Sequence, residues 1–377
     1  MSEVEASVTR FAAMGTRVEL HLFGRDDPDA LAAARAAIEA VEDALTVRRE
    51  SPAVALNRVL AVGGETVVAD PLLWEALIAV DVAWRATGGL FDPSVRDEPE
   101  LLRGLTDERI LSPSAVPRRT PGPSWESLGG SCETSTTWAP ASAGAERKGG
   151  ETISHQCFSS GDVAAVGASS RPPSPLGPGL RRGTSAHGAD DTAPLPRWSA
   201  LTIDRATRRV AAAHPLALDF GGFGKGYALD RAVAALCSAG VTSAFLSAGE
   251  SSIAVIGEHP LGGGWPLAIP HPEIDGVWLT ELELTDASLS VSSTVGAGAA
   301  KPGRAAMVRP TDGAIVTRAA TAIAVATTGA EAEALSTALL VADAPALARL
   351  RAAAPERRFL FSHDAPTRAD RPMELTA

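Results

Sequence analysis

Apolar residues recur along the chain with two spacings, and each spacing predicts a type of element. Between Arg17 and Leu22 every second residue is apolar, which is the pattern of a strand with one buried face. From Leu31 to Leu45 the apolar positions are three or four residues apart, as on the buried face of a helix. A second such stripe, from Leu73 to Trp84, begins after Asp70-Pro71 and ends at Gly88-Gly89, which are typical start and stop signals. The amino-terminal part therefore predicts layered α and β structure.

The periodic pattern stops between Glu98 and Arg197, where neither spacing is sustained. Seven of the ten residues from Arg171 to Leu180 are Pro, Gly or Ser. A segment of this composition buries too little apolar surface to offset the entropy of ordering it. Residues 98–197 are therefore predicted to be a disordered insertion. It would be either dispensable or a docking arm for a partner protein.

Regular patterns return after this insertion. We assign residues 8–97 and 198–362 to one domain that the insertion interrupts, and residues 363–377 to a tail. Short apolar runs predict strands, and apolar stripes predict helices. The predicted elements of the second part are a hairpin at 201–211, a helix that ends at Gly240, strands at 243–247, 253–256, 265–269, 323–326 and 358–362, and helices at 331–341 and 344–353. The mixture of both element types indicates an α+β domain.

Composition and charge narrow the class of protein. Of 377 residues, 45% are hydrophobic and 21% are charged, which is typical of soluble globular proteins. The net charge is −11, and no cluster of Lys and Arg is interleaved with aromatic residues, so neither nucleic acids nor anionic membranes are expected partners. The amino terminus does not have the pattern of a signal peptide, and no run of 18 apolar residues occurs. We therefore expect a cytoplasmic protein without membrane insertion.

A glycine-rich segment, Gly221-Gly222-Phe223-Gly224-Lys225-Gly226, lies between an apolar strand and a helix. Glycines let a ligand approach the backbone closely, and the first turn of a helix offers unpaired N–H groups with a partial positive charge. Lys225 adds a full positive charge. The segment therefore indicates a site for an anionic phosphate, although it matches neither a Walker A loop nor a GxGxxG motif. Close packing of helix and strand is the alternative explanation for its glycines.

Glu333 and Thr337 are four residues apart on a predicted helix, so a carboxylate and a hydroxyl lie on the same face. Both groups are hard oxygen donors. Together with a backbone carbonyl and substrate phosphates they are able to hold Mg²⁺, which usually keeps one or two protein carboxylates. The alternative is a solvated glutamate and a threonine that hydrogen-bonds back to a helix carbonyl.

Five short motifs occur in order along the chain. They are Ala-Met-Gly-Thr at 13–16, Leu-Asn at 56–57, Gly-Gly-Leu-Phe-Asp-Pro at 88–93, Asp-Phe-Gly-Gly-Phe-Gly-Lys-Gly-Tyr-Ala-Leu-Asp at 219–230, and Ala-Glu-Ala-Leu-Ser-Thr-Ala at 332–338. In this order they resemble the signatures of the FAD:protein FMN transferase (ApbE-like) family. The resemblance covers residues 8–97 and 198–345, and the predicted insertion falls between the family's two halves.

The resemblance implies a two-lobed ApbE-like α+β fold with FAD in a cleft between the lobes. It also implies a Mg²⁺-dependent transfer of FMN from FAD to a threonine or serine hydroxyl of a partner flavoprotein, with release of AMP. Lys225 would act catalytically by neutralising charge on the phosphate that is attacked. The residues that the resemblance places against FAD are Met14, Leu90, Phe91, Asp92, Asp219 and Lys225. Those that it places on the metal are Gly222, through its carbonyl, Glu333 and Thr337.

The chain departs from the family's pattern where the reaction takes place. Residues 306–313 match the family's His-x-x-Asp-Pro-x-Thr-Gly segment, but Ala306 and Arg309 replace the histidine and the aspartate. Alanine cannot accept the proton of an acceptor hydroxyl, and His271 is the nearest candidate to replace the histidine. Glu250 lies where the family has glycine. The alternative hypothesis is a family member that binds or slowly hydrolyses FAD without transfer, and the third is a flavin-free scaffold protein.

Overall fold

The computed structural model describes residues 6–95, 198–296 and 307–363 of the 377-residue chain. These residues all belong to one compact unit. The predicted insertion at 98–197, Ala306, and the predicted tail beyond residue 363 lie outside the described residues.

The central sheet has seven antiparallel strands drawn from both parts of the chain. In spatial order they are β1 (Ala6–Ala13), β2 (Thr16–Phe23), β8 (Ala244–Ala248), β9 (Ser252–Ile256), β12 (Ala287–Ser293), β13 (Ala320–Ala326) and β14 (Arg358–Ser362). Strand β2 pairs with β8, with Leu20 opposite Leu246, so the sheet joins the amino-terminal part to the rest of the domain.

The described residues also form three smaller sheets. One has the order β3 (Glu65–Val67), β6 (Arg209–Ala212), β5 (Leu201–Asp204); the second pairs β4 (Ser94–Val95) with β7 (Ala217–Leu218); the third is a hairpin of β10 (Trp265–Pro270) and β11 (Trp278–Leu284). In the second sheet Ser94 lies opposite Leu218, so residues that precede and follow the predicted insertion are hydrogen-bonded neighbours.

The described chain has six α-helices. They are α1 (Pro28–Leu45), α2 (Pro52–Leu60), α3 (Pro71–Thr87), α4 (Gly224–Ser238), α5 (Gly329–Val341) and α6 (Ala344–Ala352). Five of them have an N-cap residue whose side chain accepts a hydrogen bond from a backbone N–H of the first turn. These residues are Asp27, Ser51, Asp70, Thr328 and Asp343. Helix α4 is the exception, because the side chain of Phe223, which precedes its first residue, makes no such bond. Within the described ranges no helix combines the length and the apolar character that crossing a membrane requires.

The central sheet is buried on both faces, and strand β13 shows how. Its Ala322 and Ala324 belong to a cluster with the apolar side chains of α5. Its Ile323 and Val325 point the other way, into a cluster with the β10–β11 hairpin. The helix α5 therefore lies on one face of the sheet and the hairpin on the opposite face. Alanines on the first face allow α5 to approach the strand closely.

Most of the predicted elements are confirmed. The predicted strand and helices of the amino-terminal part are β2, α1 and α3, and α3 begins after Asp70 and ends at Gly88, whose φ of 67° is left-handed. The predicted hairpin, strands and helices of the second part are also present. The prediction missed β1, α2, β3, β4, β11 and β12. Strand β12 was missed because serines make up one of its two buried faces, and a run rich in serine is more typical of an exposed loop.

Candidate functional site

The glycine-rich segment forms a turn that leads from β7 into helix α4. The N–H groups of Phe223 and Gly224 both donate to the carbonyl of Phe220, at 2.9 and 2.7 Å. No described residue accepts a hydrogen bond from the next two N–H groups, those of Lys225 and Gly226. Unpaired N–H groups at the start of a helix attract anions. The start of α4 therefore has the two free donors and the lysine that an anionic phosphate needs.

Lys225 points from the start of α4 to α5. Its Nζ lies 2.9 Å from Oε1 of Glu333, and the Ser252 hydroxyl donates to the same oxygen at 2.5 Å. Glu333 is only 2% exposed. A buried carboxylate is tolerated only when it is paired and hydrogen-bonded, and Lys225 and Ser252 provide both kinds of partner for Glu333.

The second oxygen of Glu333 is in a different state. Its Oε2 atom is buried and has no hydrogen-bond partner in the described part of the protein. A buried polar atom without a partner costs about 1–3 kcal/mol, and in a native structure it often indicates an ion or ligand that completes it. The orphaned oxygen lies on the residue that the sequence predicted as a metal ligand.

The donor groups of the three residues predicted to hold the metal are of the kind that suits magnesium. Thr337 follows one turn later on α5 and is partly buried, while Gly222 is exposed with no atom within 4 Å of the place that a Cβ would occupy. A carboxylate, a hydroxyl and a carbonyl are the oxygen donors that Mg²⁺ takes. Across the described ranges, no three or more His, Cys, Asp or Glu side chains form a metal cluster. A metal held by one carboxylate, one hydroxyl and one carbonyl would take its remaining ligands from water or from phosphates of a substrate.

The helices α4 and α5 touch near their first turns. A Cβ atom on Gly226 would lie 2.1 Å from the carbonyl oxygen of Gly329, and one on Gly329 would lie 2.6 Å from the carbonyl oxygen of Gly226. Only two glycines permit such a close approach of two backbones. This crossing brings Lys225, one residue before Gly226, within reach of Glu333, four residues after Gly329.

Asp230 of α4 makes a second contact with the first turn of α5. Its two carboxylate oxygens accept hydrogen bonds from the N–H groups of Gly329 and Ala330, at 2.6 and 2.9 Å. The pKa of the Asp230 carboxyl is raised from 3.8 to about 6, mainly by burial and also by the negative charge of Glu333, although the two backbone hydrogen bonds and Arg231 act in the opposite direction. A side chain of α4 therefore caps α5, the helix that carries Glu333 and Thr337.

We expect Asp230→Asn to destabilise the protein by about 1–2 kcal/mol at pH 4, because the amide nitrogen, unlike either carboxyl oxygen, cannot accept one of the two backbone hydrogen bonds. Because the pKa is higher in the folded state, the stability that Asp230 contributes is fully present below pH 3.8 and is lost as the pH rises through about 6. The deficit of the variant should therefore shrink from pH 4 to pH 7. Urea unfolding of both proteins at several pH values measures it, and a deficit that grows with pH would contradict the assigned direction.

Met14 and Asp219 lie beside the same turn. The Cε atom of Met14 is 2.7 Å from the place that a Cβ on Gly224 would occupy, so this side chain packs on the first residue of α4. Asp219 is exposed; its carboxylate accepts a hydrogen bond from the Gly221 N–H at 2.8 Å, and its own N–H donates to the Pro93 carbonyl. The structure therefore brings both predicted residues to the turn that contains Lys225.

The three remaining residues predicted to contact FAD are consecutive in the chain but have different surroundings. Asp92 accepts hydrogen bonds from the N–H and hydroxyl of Ser94 and from the N–H of Trp198, and burial raises the pKa of its carboxyl. Leu90 and Phe91 are buried, and the Phe91 ring lies 6.1 Å from the ring of Phe223. Phe91 therefore belongs to the same core cluster as Phe223, whereas Leu90 packs in the cluster of α5 and β13.

Arg309, which replaces the family's aspartate in the sequence comparison, lies at the end of α5. Its Nε donates to the Val341 carbonyl at 2.9 Å, and its guanidinium pairs with Asp312 at 2.8 Å. Arg318 donates to the Leu340 carbonyl at 2.7 Å. Positive charges at the carboxyl end of a helix are stabilising. Arg309 therefore contributes to holding the helix of Glu333.

His271, the candidate to replace the family's histidine, and Glu250, which stands where the family has glycine, have other partners. His271 follows β10, in the hairpin that covers the face of the sheet opposite α5, and its ring meets that of His363 edge-on with 4.7 Å between centroids. Glu250 has a left-handed φ of 62° and pairs with Arg17 at 3.2 Å. The hairpin of His271 and the helix of Glu333 are therefore on opposite faces of the sheet.

Comparisons with known proteins agree with the architecture. Among solved structures, the chain is similar to the ApbE protein of Thermotoga maritima, with 17% identity, 95% of this chain and 94% of that chain covered, and a TM-score of 0.62. It is also similar to the apo form of the flavinyl transferase ApbE of Pseudomonas stutzeri, with 16% identity, 96% of each chain covered and a TM-score of 0.59. The flavin transferase ApbE of Vibrio cholerae gives 16% identity, 95% and 97% coverage, and a TM-score of 0.59.

These likenesses establish a shared mixed α/β fold, as predicted. No curated protein matches the chain. The sequence model of the ApbE family matches residues 167–360, which is more than half of the 377 residues. The chain therefore belongs to the ApbE family.

Proposed function

We propose that the chain is a Mg²⁺-dependent FAD:protein FMN transferase, which moves FMN from FAD to a threonine or serine hydroxyl of a partner flavoprotein and releases AMP. Membership of the ApbE family, and the flavin transferases among the similar structures, support flavin transfer. The observation that carries the finer proposal is the state of Glu333. One oxygen pairs with Lys225 at the uncapped start of α4, and the other is buried without a partner.

The proposed reaction replaces one P–O bond by another. The acceptor oxygen forms a bond to the phosphorus on the FMN side of FAD, the bond from this phosphorus to the bridging oxygen breaks, and AMP leaves with that oxygen. The proton of the acceptor hydroxyl passes to a base or to water. Charge on the phosphate oxygens opposes the attack and grows on the leaving oxygen, so fixed positive groups beside them accelerate the reaction.

The start of α4 has the groups that this charge requires. Lys225 pairs with Glu333 in the structure, and its side chain would turn to a phosphate oxygen of the bound substrate. The unpaired N–H groups of Lys225 and Gly226 would donate to the pyrophosphate as well. Glu333, Thr337 and the carbonyl of Gly222 would hold Mg²⁺, which, when bound, neutralises phosphate charge as a Lewis acid.

The placement of FAD against Met14, Leu90, Phe91, Asp92 and Asp219 stays a prediction. Met14 is on the surface of the turn and would contact the ligand directly, because it packs on Gly224 at the start of α4. Leu90 and Phe91 are buried, so they would shape the floor of the site from below. Asp219 is exposed beside the turn and is free to bind the polar part of the ligand.

The second candidate function is binding or slow hydrolysis of FAD without transfer to a protein. Ala306 favours it, because alanine stands where the family has the histidine that would accept the acceptor's proton. Loss of a positioned base typically slows a reaction by about 10²–10⁴-fold. Water would then take the place of the acceptor hydroxyl and yield FMN and AMP.

Incubation of the purified protein with FAD, Mg²⁺ and candidate acceptor proteins from the same genome distinguishes these functions. We expect a fluorescent flavin band that survives denaturing electrophoresis, one AMP for each flavin attached, and loss of both when EDTA removes the metal. FMN and AMP without a protein-bound flavin would identify the hydrolytic alternative. A protein that neither binds nor consumes FAD would contradict both functions.

A further inference from the structure

Described residues donate hydrogen bonds to only one of the two carboxylate oxygens of Glu333. Oε1 accepts two hydrogen bonds, from Lys225 Nζ at 2.9 Å and from the Ser252 hydroxyl at 2.5 Å, which fills both of its lone pairs. Oε2 is buried and no described residue donates to it. A carboxylate that served only the packing of the core would be expected to satisfy both oxygens.

The two donors to Oε1 differ in how firmly they are held. Lys225 reaches Glu333 with a four-carbon chain that is 24% exposed, and a phosphate would compete for its ammonium group. Ser252 is on β9, an inner strand of the central sheet, where it pairs with Ala248 on one side and Ser290 on the other. It is 1% exposed. Ser252 therefore remains as the fixed donor when Lys225 turns to a substrate.

We infer that Ser252 is a positioning residue, which holds Oε1 of Glu333 so that Oε2 is presented to the cation. The inference rests on the proposed function, because it concerns the same site. The terminal torsion of a glutamate is broad, so a carboxylate held by one donor alone samples several orientations. A second donor on a rigid strand fixes both the plane of the carboxylate and the identity of the oxygen that faces outward. Residues that orient a metal ligand in this way typically contribute 10–100-fold to metal affinity.

Binding of Mn²⁺ to the full chain tests the role of Ser252 without relying on turnover. Mn²⁺ takes the oxygen ligands that suit Mg²⁺, and its free concentration is measured by electron paramagnetic resonance in the presence of FAD. We expect Ser252→Ala to weaken Mn²⁺ binding about 10-fold or more, and Ser252→Thr, which keeps the hydroxyl, to restore most of it. The Mg²⁺ concentration that gives half-maximal activity should rise by a similar factor.

Ser288→Ala is the matched control. Ser288 is 3% exposed on β12, opposite Ala254, and therefore on the same face of the sheet as Ser252, but it makes no hydrogen bond to Glu333. This substitution removes a buried strand hydroxyl without touching the site. We expect it to leave Mn²⁺ affinity unchanged, whatever it does to the thermal midpoint.

The outcomes separate this inference from the proposed function. Mn²⁺ binding by Ser252→Ala as tight as that of the wild type would overturn the role of Ser252, even if flavin transfer is found. A wild-type protein that binds neither FAD nor Mn²⁺ would overturn the proposed function. If Ser252→Ala does not fold, Ser252→Cys, which keeps the volume but is a weaker donor, takes its place; weakened binding supports the role and wild-type binding refutes it.

Discussion

Replacing Gly226 by alanine is expected to destabilise the protein by about 3 kcal/mol, at the upper end of the usual effect of overpacking a core. The new Cβ would lie 2.1 Å from the Gly329 carbonyl oxygen and 2.9 Å from the Ala330 nitrogen. Both atoms are backbone, so no side chain can move aside and the two helices must separate. Alanine also raises helix propensity by roughly 1 kcal/mol, which is too little to reverse the sign. Urea unfolding monitored by circular dichroism measures the change.

Gly222→Ala is the matched control for this prediction. Gly222 is in the same turn, but the position of its Cβ has no atom within 4 Å, so the substitution should leave the unfolding midpoint almost unchanged. Separation of α4 from α5 should also move Lys225 away from Glu333, and Gly226→Ala should therefore bind FAD weakly even where it is folded. A Gly226→Ala protein as stable as Gly222→Ala would show that the two helices are not in close contact.

Lys225→Met is expected to lower the rate of flavin transfer by about 100-fold or more, as the removal of one fixed positive group or donor from a transition state typically does. The substitution keeps the apolar stem and removes the charge that would neutralise the phosphate. It also leaves the buried Glu333 carboxylate with Ser252 as its one remaining partner on Oε1. The rate of AMP release under saturating FAD measures the loss of catalysis. Fluorescence titration with FAD measures the loss of affinity.

Arg231→Met provides the matched control on the same helix. Arg231 pairs with Glu75 at 2.9 Å, two turns along α4 from Lys225, so its loss removes one positive charge without touching Glu333. We expect transfer by this variant to stay near the wild-type rate. The double variant Lys225→Met with Glu333→Gln should regain stability relative to Lys225→Met, because no unpaired carboxylate remains buried. A Lys225→Met protein that transfers flavin at the wild-type rate would remove Lys225 from the catalytic site.

The sequence was most informative where the site is local. The glycine-rich turn, the start of a helix at that turn and the spacing of Glu333 from Thr337 all depend on residues close together in the chain, and the patterns predicted these elements. The contacts that join them depend on the fold. Ser252 meets Glu333 across 81 positions of sequence, and Asp230 meets Gly329 across 99.

Two of these contacts also lacked a recognisable signal. A serine at the start of a strand, such as Ser252, is common. Only the packing of α5 against β9 shows that its hydroxyl faces a carboxylate. Asp230 carries no sequence signal for its role, and the structure shows that it caps a helix other than its own. Arg309 was interpreted only as the loss of an aspartate, because its hydrogen bond to Val341 depends on the position of a helix that follows it in the chain.

The pairing of β4 with β7 bears on which changes of length the protein tolerates between these two strands. Asp92 accepts a hydrogen bond from the N–H of Trp198, and Ser94 lies opposite Leu218, so the described residues that precede and follow residues 96–197 lie at adjacent points of the fold. The entropy of closing a loop grows only with the logarithm of its length. We therefore expect that segments of very different length can be exchanged between these two points while the distance between Lys225 and Glu333 stays the same, and that a foreign module can be inserted there.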